Sequence, residues 1–266
     1  MAEQTTPPQN RPRVGLLVTC LVDLLRPEIG FATIKLLEEA GCEVLVPEAQ
    51  TCCGQPGFNA GATDAAAALA RQVIEQFGGF DYLIIPSGSC ASMVKSHYKE
   101  ALAGDPAWLP RAEALAAKTY ELMSFLVDVR GYKPDGVRLN RSASYHDSCS
   151  GLRELNIFKQ PRTLLGAVDG LDLKPLPGND VCCGFGGTFC VKYPAISNAI
   201  VGEKAKAAVE ADADLLLGGD LGCLINIAGK LSRNGDKVRV MHAAEVIAGM
   251  GDGPAIGEES ERDDLG

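Results

Sequence analysis

The sequence predicts an α/β protein of two tandem domains related by a pseudo-twofold duplication, each with a mainly parallel sheet flanked by helices. Three observations lead to this. Short apolar runs, the length of buried strands, alternate with stretches of helical periodicity. Cys20, the pair Cys52-Cys53 and Cys90 form a spacing that returns as Cys149, the pair Cys182-Cys183 and Cys223, with Gly54 and Gly184 after the pairs. The 31 and 36 residues between ligand groups of the first set, and the 32 and 39 of the second, are the size of whole βα units.

The elements follow in order. VGLLVT (Val14 to Thr19) suits a buried parallel strand and ends at Cys20. Pro27 can open a helix with an apolar stripe of Ile29, Ala32, Thr33, Leu36, Leu37 and Ala40, and Gly41 can end it. EVLVP supplies a second strand, whose loop carries Cys52 and Cys53. Ala66, Leu69, Ala70, Val73, Ile74 and Phe77 mark the next helix, and YLIIP (Tyr82 to Pro86) is a third strand running into Cys90. The second half repeats the order with ASY before Cys149, LDLKPL before Cys182 and Cys183, a helix near Ala195 to Glu210, and DLLLGGDLG before Cys223. A fourth unit closes each half. TYELMSFLVDV (Thr119 to Val129) matches VRVMHAAEVIA (Val238 to Ala248), which sets Met123 opposite Met241 and Ser124 opposite His242. Matching cysteines are offset by 129 to 133 residues and these last segments by 118, so the first half is expected to hold an extra helical insert at about 99–118. The expected domains are 13–135 and 136–250, between disordered tails at 1–12 and 251–266, the second of them acidic.

Bulk properties narrow the function. The chain has 266 residues, 46% of them hydrophobic, enough for two medium cores. A net charge of −9 without a basic stripe argues against nucleic acid, which needs clustered Lys and Arg. No stretch approaches the roughly 18 apolar residues of a membrane span, and the first dozen residues have no apolar core of a signal peptide. A cytoplasmic protein is expected. Its ten cysteines then point to metal or redox chemistry before structural disulfides.

Four thiolates gathered from three segments suit a soft four-coordinate metal or an iron–sulfur cluster. Cys20, Cys52, Cys53, Cys90, Cys149, Cys182, Cys183 and Cys223 are therefore the candidate cofactor and metal ligands. Zinc and redox disulfides would use the same side chains and stay open as alternatives. Loops leaving a parallel sheet gather at one edge, where helix N-termini favour thiolates and an anionic centre. The stretch GFGGTF lacks the G-x-G-x-x-G pattern, so no nicotinamide or flavin site is assigned.

In VTCLVDLLRPEIG, PEAQTCCGQPGFNAG, PSGSCASMVKS, YHDSCSGLRELNI, DVCCGFGGTFCVKYPAIS, GCLINIAGKL and VMHAAEVIA, the chain resembles the CCG cysteine-rich proteins over about residues 14–248. These include the cysteine-rich subunits of heterodisulfide reductases and glycolate oxidase iron–sulfur subunits; the closer resemblance is to the lactate utilisation protein A family. The resemblance implies two [4Fe–4S] clusters on the eight cysteines, with zinc as the alternative. It implies an electron-transfer subunit of a nicotinamide-independent, multi-subunit system oxidising L-lactate to pyruvate, the lone chain being inactive. Glycolate or another 2-hydroxy acid, or a non-catalytic zinc scaffold, are the competing readings. The heterodisulfide reductase proteins have a fifth cysteine three residues after the last ligand of each set; here those positions are Met93 and Asn226, so their chemistry does not carry over. Ferredoxin-type Cys-x-x-Cys runs are also missing, which implies a partner that carries them.

Among the remaining candidates, His146 and His242 end strands in the second half and are expected to face its cluster edge, where they would hydrogen-bond around the ligands or transfer protons. Only the second centre would then respond to pH between about 6 and 8. His97 is expected on the surface, Cys42 in the core, and Met93, Met123 and Met241 in packing roles. Cys190 is a spare thiol near the second pair. Arg153 and Lys192 are candidate contacts for a carboxylate or an acidic partner surface.

Overall fold

The computed structural model describes residues 11–258. Two four-stranded sheets form, and every neighbouring pair of strands is parallel. In the first, β1 (Arg13–Leu16), β2 (Glu43–Leu45), β3 (Tyr82–Ile85) and β4 (Thr119–Glu121) lie in the order β2-β1-β3-β4. In the second, β5 (Arg138–His146), β6 (Asp169–Leu173), β7 (Leu215–Gly218) and β8 (Arg239–His242) lie in the order β6-β5-β7-β8. Each order reverses direction after its second strand, which opens a crevice beyond the C-terminal ends of the two central strands.

Helices cover the sheets along the stripes that the sequence marks. Glu28–Glu39 buries Ile29, Ala32, Thr33, Leu36 and Leu37, and Gly41 follows at φ 81°. Thr63–Phe77 buries Ala66, Ala70, Val73, Ile74 and Phe77. The helix Leu109–Ala117 occupies the expected insert of the first half, whereas one helix, Leu221–Asn234, spans most of the corresponding stretch between β7 and β8. The halves share a core: Val14, Leu36, Ile84 and Leu126 belong to one apolar cluster with Leu164, Leu217, Met241 and Ile247. Each such side chain contributes about 2 kcal/mol by leaving water.

Polar contacts complete the seam. Ser87 Oγ donates to Asp220 Oδ2 at 3.1 Å, the Ser89 N–H reaches the same oxygen at 2.9 Å, and the Gly88 N–H reaches Gly219 O at 3.3 Å. Ser87 and Asp220 each stand three residues before the last cysteine of their set, so these equivalent positions meet each other. The Gly88 and Gly151 backbones approach so closely that a Cβ on Gly88 would lie 3.1 Å from Gly151 Cα and 2.7 Å from Ser148 Oγ. Arg26 grips Glu245 with two nitrogens, the shortest contact being 2.7 Å, and Lys35 donates to Ala248 O at 2.7 Å.

Two expectations change. The strand pairing sets Glu121 beside Ile85 and His242 beside Gly218, so Glu121, rather than Ser124, is the counterpart of His242. Both residues cap the helix that follows. The Glu121 carboxylate accepts the Met123 and Ser124 N–H groups at 2.9 and 3.2 Å, and His242 Nδ1 accepts the Ala244 N–H at 3.2 Å. Pairing Met123 with Met241 follows residue type, whereas the cap at the strand end sets the true register. Second, 251–258 does not form a free tail: Ala255 is buried, the Ile256 N–H donates to Val240 O at 2.9 Å, and Glu258 pairs with Arg239 at 2.7 Å. β8 is an edge strand with a free carbonyl, and that edge takes up the chain. The rest of the expected tails, 1–10 and 259–266, lies outside the described residues.

Glu121 is fully buried, and burial pushes its pKa up to about 8 against the two N–H groups that favour its charge, with Asp220 adding to the rise. The folded chain thus keeps a proton that the unfolded chain loses near 4.5, so stability is full below that value and falls as pH rises through 8. In chemical denaturation, the wild type is expected to lose a few kcal/mol more than Glu121→Gln between about pH 5 and pH 9; parallel losses would contradict this. Arg26→Ala leaves the Glu245 carboxylate, 2% exposed, without its cation. A destabilisation of about 3 kcal/mol is expected in the same assay, and a change within error would show the pair to be dispensable.

Candidate metal centres

Each candidate cysteine lies just beyond a strand. Cys20 opens the helix Cys20–Leu25 after β1, the pair Cys52-Cys53 occupies the loop after β2, and Cys90 sits in the helix Gly88–Ser92 after β3. Cys149 opens Cys149–Leu155 after β5, Cys182-Cys183 follow β6, and Cys223 lies in the first turn of Leu221–Asn234 after β7. Ser87 and Ser148 hold these helix starts by accepting the Cys90 and Gly151 N–H groups. Gly54 at φ 90° and Gly184 at φ 80° turn the chain after each pair; a Cβ on Gly184 would also lie 2.8 Å from Ser197 O.

Within each set neighbouring thiols act on one another, in the order Cys20, Cys52, Cys53, Cys90 in the first half and Cys149, Cys182, Cys183, Cys223 in the second. The adjacent Cys20 and Cys53 lower the pKa of Cys52 to about 2, and the Gly54 N–H lies 3.5 Å from its sulfur. Cys182 is the counterpart: Cys149 and Cys183 lower it to about 2, with the Gly184 N–H at 3.3 Å. The same neighbours, together with burial, push Cys20, Cys53, Cys149 and Cys183 up. None of the ten cysteines is joined in a disulfide. Two donor sets of four thiols each offer the soft ligands of a thiolate-bound metal or an iron–sulfur cluster and are poor ligands for Mg²⁺ or Ca²⁺.

The sets differ in access. Cys20 is exposed, and a cleft of about 270 Å³ opens beside it, lined by Cys20, Cys52, Cys53 and Cys90 and, from the other half, Phe185, Thr188, Val191 and Asp220. In the second set Cys183 and Cys223 are both buried. There His146 brings an imidazole nitrogen to the sulfurs of Cys183 and Cys223, the three atoms lying within 4.8 Å of one another. Neither ring nitrogen of His146 has a hydrogen-bond partner, and the ring is fully buried.

His242 goes elsewhere. Its Nδ1 caps a helix, and its ring lies by Asp220 and the carbonyls of Gly219 and Pro86, on the seam. Burial lowers the pKa of His146 to about 3 and of His242 to about 4. Both shifts disfavour the charged imidazole and so run against the pH response expected of the second centre. His97 pairs with Glu154 of the other half at 2.7 Å, so it is a seam residue rather than a free surface one. Cys42, Met93, Met123 and Met241 are core, as expected. Cys190 Sγ turns to Gly187 O at 3.5 Å, Arg153 donates to Asp180 O at 3.3 Å, and Lys192 is exposed.

Several supporting residues escape sequence reasoning. Tyr98 Oη donates to Cys53 O at 3.0 Å, and Asn226 Nδ2 donates to Cys183 O at 2.8 Å. Each fixes the buried cysteine of a pair from the helix that carries the last cysteine or its continuation. Lys204 is buried and binds the Gly178 and Asn179 carbonyls, the second at 3.3 Å, beneath the second loop. The placement of Tyr98 and Asn226, eight and three residues after Cys90 and Cys223, is the one signal that could have found them.

The cysteine-rich CCG domain family matches residues 14–95 and 143–228, the two stretches that hold all ten cysteines. Lactate utilization protein A of Geobacillus kaustophilus is 50% identical over 235 residues, 88% of this chain and 98% of that protein. Lactate utilization protein A 2 of Bacillus cereus strain Q1 is 46% identical over 236 residues, 89% of this chain and 98% of its own length. A hypothetical protein from Helicobacter pylori shares the fold at a TM-score of 0.64 and 13% identity; it aligns with 97% of this chain, which spans about half, 51%, of that protein. With two matched CCG domains and near-full-length relatives, the chain belongs to the lactate utilization protein A family.

Proposed function

We propose that the chain is the iron–sulfur electron-transfer subunit of a multi-subunit, nicotinamide-independent system that oxidises L-lactate to pyruvate in the cytoplasm. The observation that carries this reading is the pair of four-thiol sets on either side of one seam, in a family named for lactate utilisation. Cys20, Cys52, Cys53 and Cys90 would hold one [4Fe–4S] cluster and Cys149, Cys182, Cys183 and Cys223 the other. When bound, such clusters accept and release electrons singly, which divides the two-electron oxidation into two steps.

The residues of this chain have three tasks in that scheme. Helix N-termini and the Gly54 and Gly184 N–H groups stabilise thiolate charge. Tyr98 and Asn226 hold the buried cysteines in place. The Gly88–Gly151 contact sets the helix bearing Cys90 against the helix bearing Cys149, so a short path joins the centres. No lysine or arginine among the described residues lines the cleft at the first set, so a lactate carboxylate lacks a cation there. This favours oxidation of lactate on another polypeptide, with electrons handed over. Exposed Leu24, Leu25, Val191 and Tyr193, on segments that border this cleft, offer apolar contacts to a partner with ferredoxin-type cysteines. No helix among the described residues is long and apolar enough to cross a membrane.

Anaerobically purified protein is expected to contain iron and acid-labile sulfide at both sites, and stoichiometric zinc without sulfide would overturn the proposal. Cys53→Ser and Cys183→Ser should each remove about half of the iron; loss of all iron from either change would mean that the centres do not assemble independently. Deleting the gene in its source organism should impair growth on L-lactate and spare growth on glucose, while the isolated chain turns over no lactate. Normal lactate growth of the deletion strain excludes the substrate assignment.

A further inference from the structure

The two centres differ at one buried position. Leu17, just past the end of β1, and His146, the last residue of β5, each stand three residues before the first cysteine of their set, and both are buried. Leucine therefore satisfies the packing demands of this place in the fold. In the second half the same place holds an imidazole with two unpartnered nitrogens. A buried polar group without a partner is costly, so its persistence needs an acceptor.

The backbone does not supply one. The Asn179 carbonyl is near the ring, but it already accepts the Asp147 N–H at 3.2 Å and Lys204 Nζ at 3.3 Å, which uses both lone pairs. The Cys183 and Cys223 sulfurs lie within 4.8 Å of the ring nitrogen. A neutral imidazole carries one N–H, so no change of charge is required.

Building on the iron–sulfur reading, we propose that His146 is a positioning residue that donates an N–H···S hydrogen bond to the Cys183–Cys223 side of the second centre and thereby raises its reduction potential above that of the first. Reduction adds one negative charge to the sulfur-rich centre, and a donor aimed at those sulfurs stabilises the reduced form more than the oxidised form. With both clusters bound, an electron held by the first, beside the open cleft, would pass to the second, oxidising the first and reducing the second with no proton moved, and the second would serve as the electron store.

The test is a redox titration followed by electron paramagnetic resonance at one pH, on anaerobically purified wild type, His146→Leu and Leu17→His, with iron and sulfide measured first. Cys53→Ser and Cys183→Ser versions assign each signal to its centre. His146→Leu is expected to lower the second midpoint and leave the first in place; Leu17→His is expected to raise the first. Unchanged midpoints in both variants, with both centres loaded, overturn the hydrogen-bond role alone. Selective loss of the second centre's iron in His146→Leu would make His146 a ligand and overturn it too. A wild type without iron or sulfide would instead remove the iron–sulfur reading on which the inference rests.

Discussion

Parallel strands end at the same edge of a sheet, and this constraint governs the rest of the structure. No cysteine group lies near its set-mates in sequence, yet β1, β2 and β3 deliver Cys20, the Cys52-Cys53 loop and Cys90 to one place. Helices must cross back between the strands, so each thiol group is followed by a helix start and its free N–H groups. The same geometry that collects the sulfur also makes its surroundings favourable to negative charge. Gly54 and Gly184 are the cost of fitting two adjacent cysteines into one turn, since both take a left-handed conformation that other residues resist.

The seam is the second determinant. A shared apolar cluster ties the sheets together, and the polar residues along it are capped or paired on at least one side. Glu121 and His242 each cap a helix with one atom and leave another, Oε1 or Nε2, without a partner. Asp220 lies close to both and is held by Ser87 and Ser89. These polar groups thus sit on the seam between the halves, with Asp220 also lining the cleft at the first sulfur set.

Strands, helix stripes and thiol sets were legible in the sequence because their signals are local or repeated. A stripe such as Ile29, Leu36 and Leu37 needs no knowledge of its partner surface, and a duplicated spacing announces itself. What escaped depends on contacts across long separations. Asp220 looks like an ordinary loop acid until Ser87 is set against it, and His242 looks like a cluster neighbour until its ring is seen to turn to the seam. His97 likewise meets Glu154 only once the halves dock. The acidic composition after Met250 concealed Ala255 and Ile256, two apolar residues sufficient to bind the edge of β8.

Ser87 meeting Asp220 on the pseudo-twofold axis also bears on ancestry. In a dimer of two identical halves, residues on the axis face their own copies, so a serine would meet a serine and an aspartate would meet an aspartate. Two buried carboxylates in that position would repel, and two hydroxyls would leave the Ser89 N–H without its anionic acceptor. A hydroxyl donor opposite a carboxylate acceptor is open only to halves that differ in sequence. The same freedom let Leu17 and His146 diverge. Two halves in one chain are thus free of the symmetry that would hold both sulfur sites to identical surroundings.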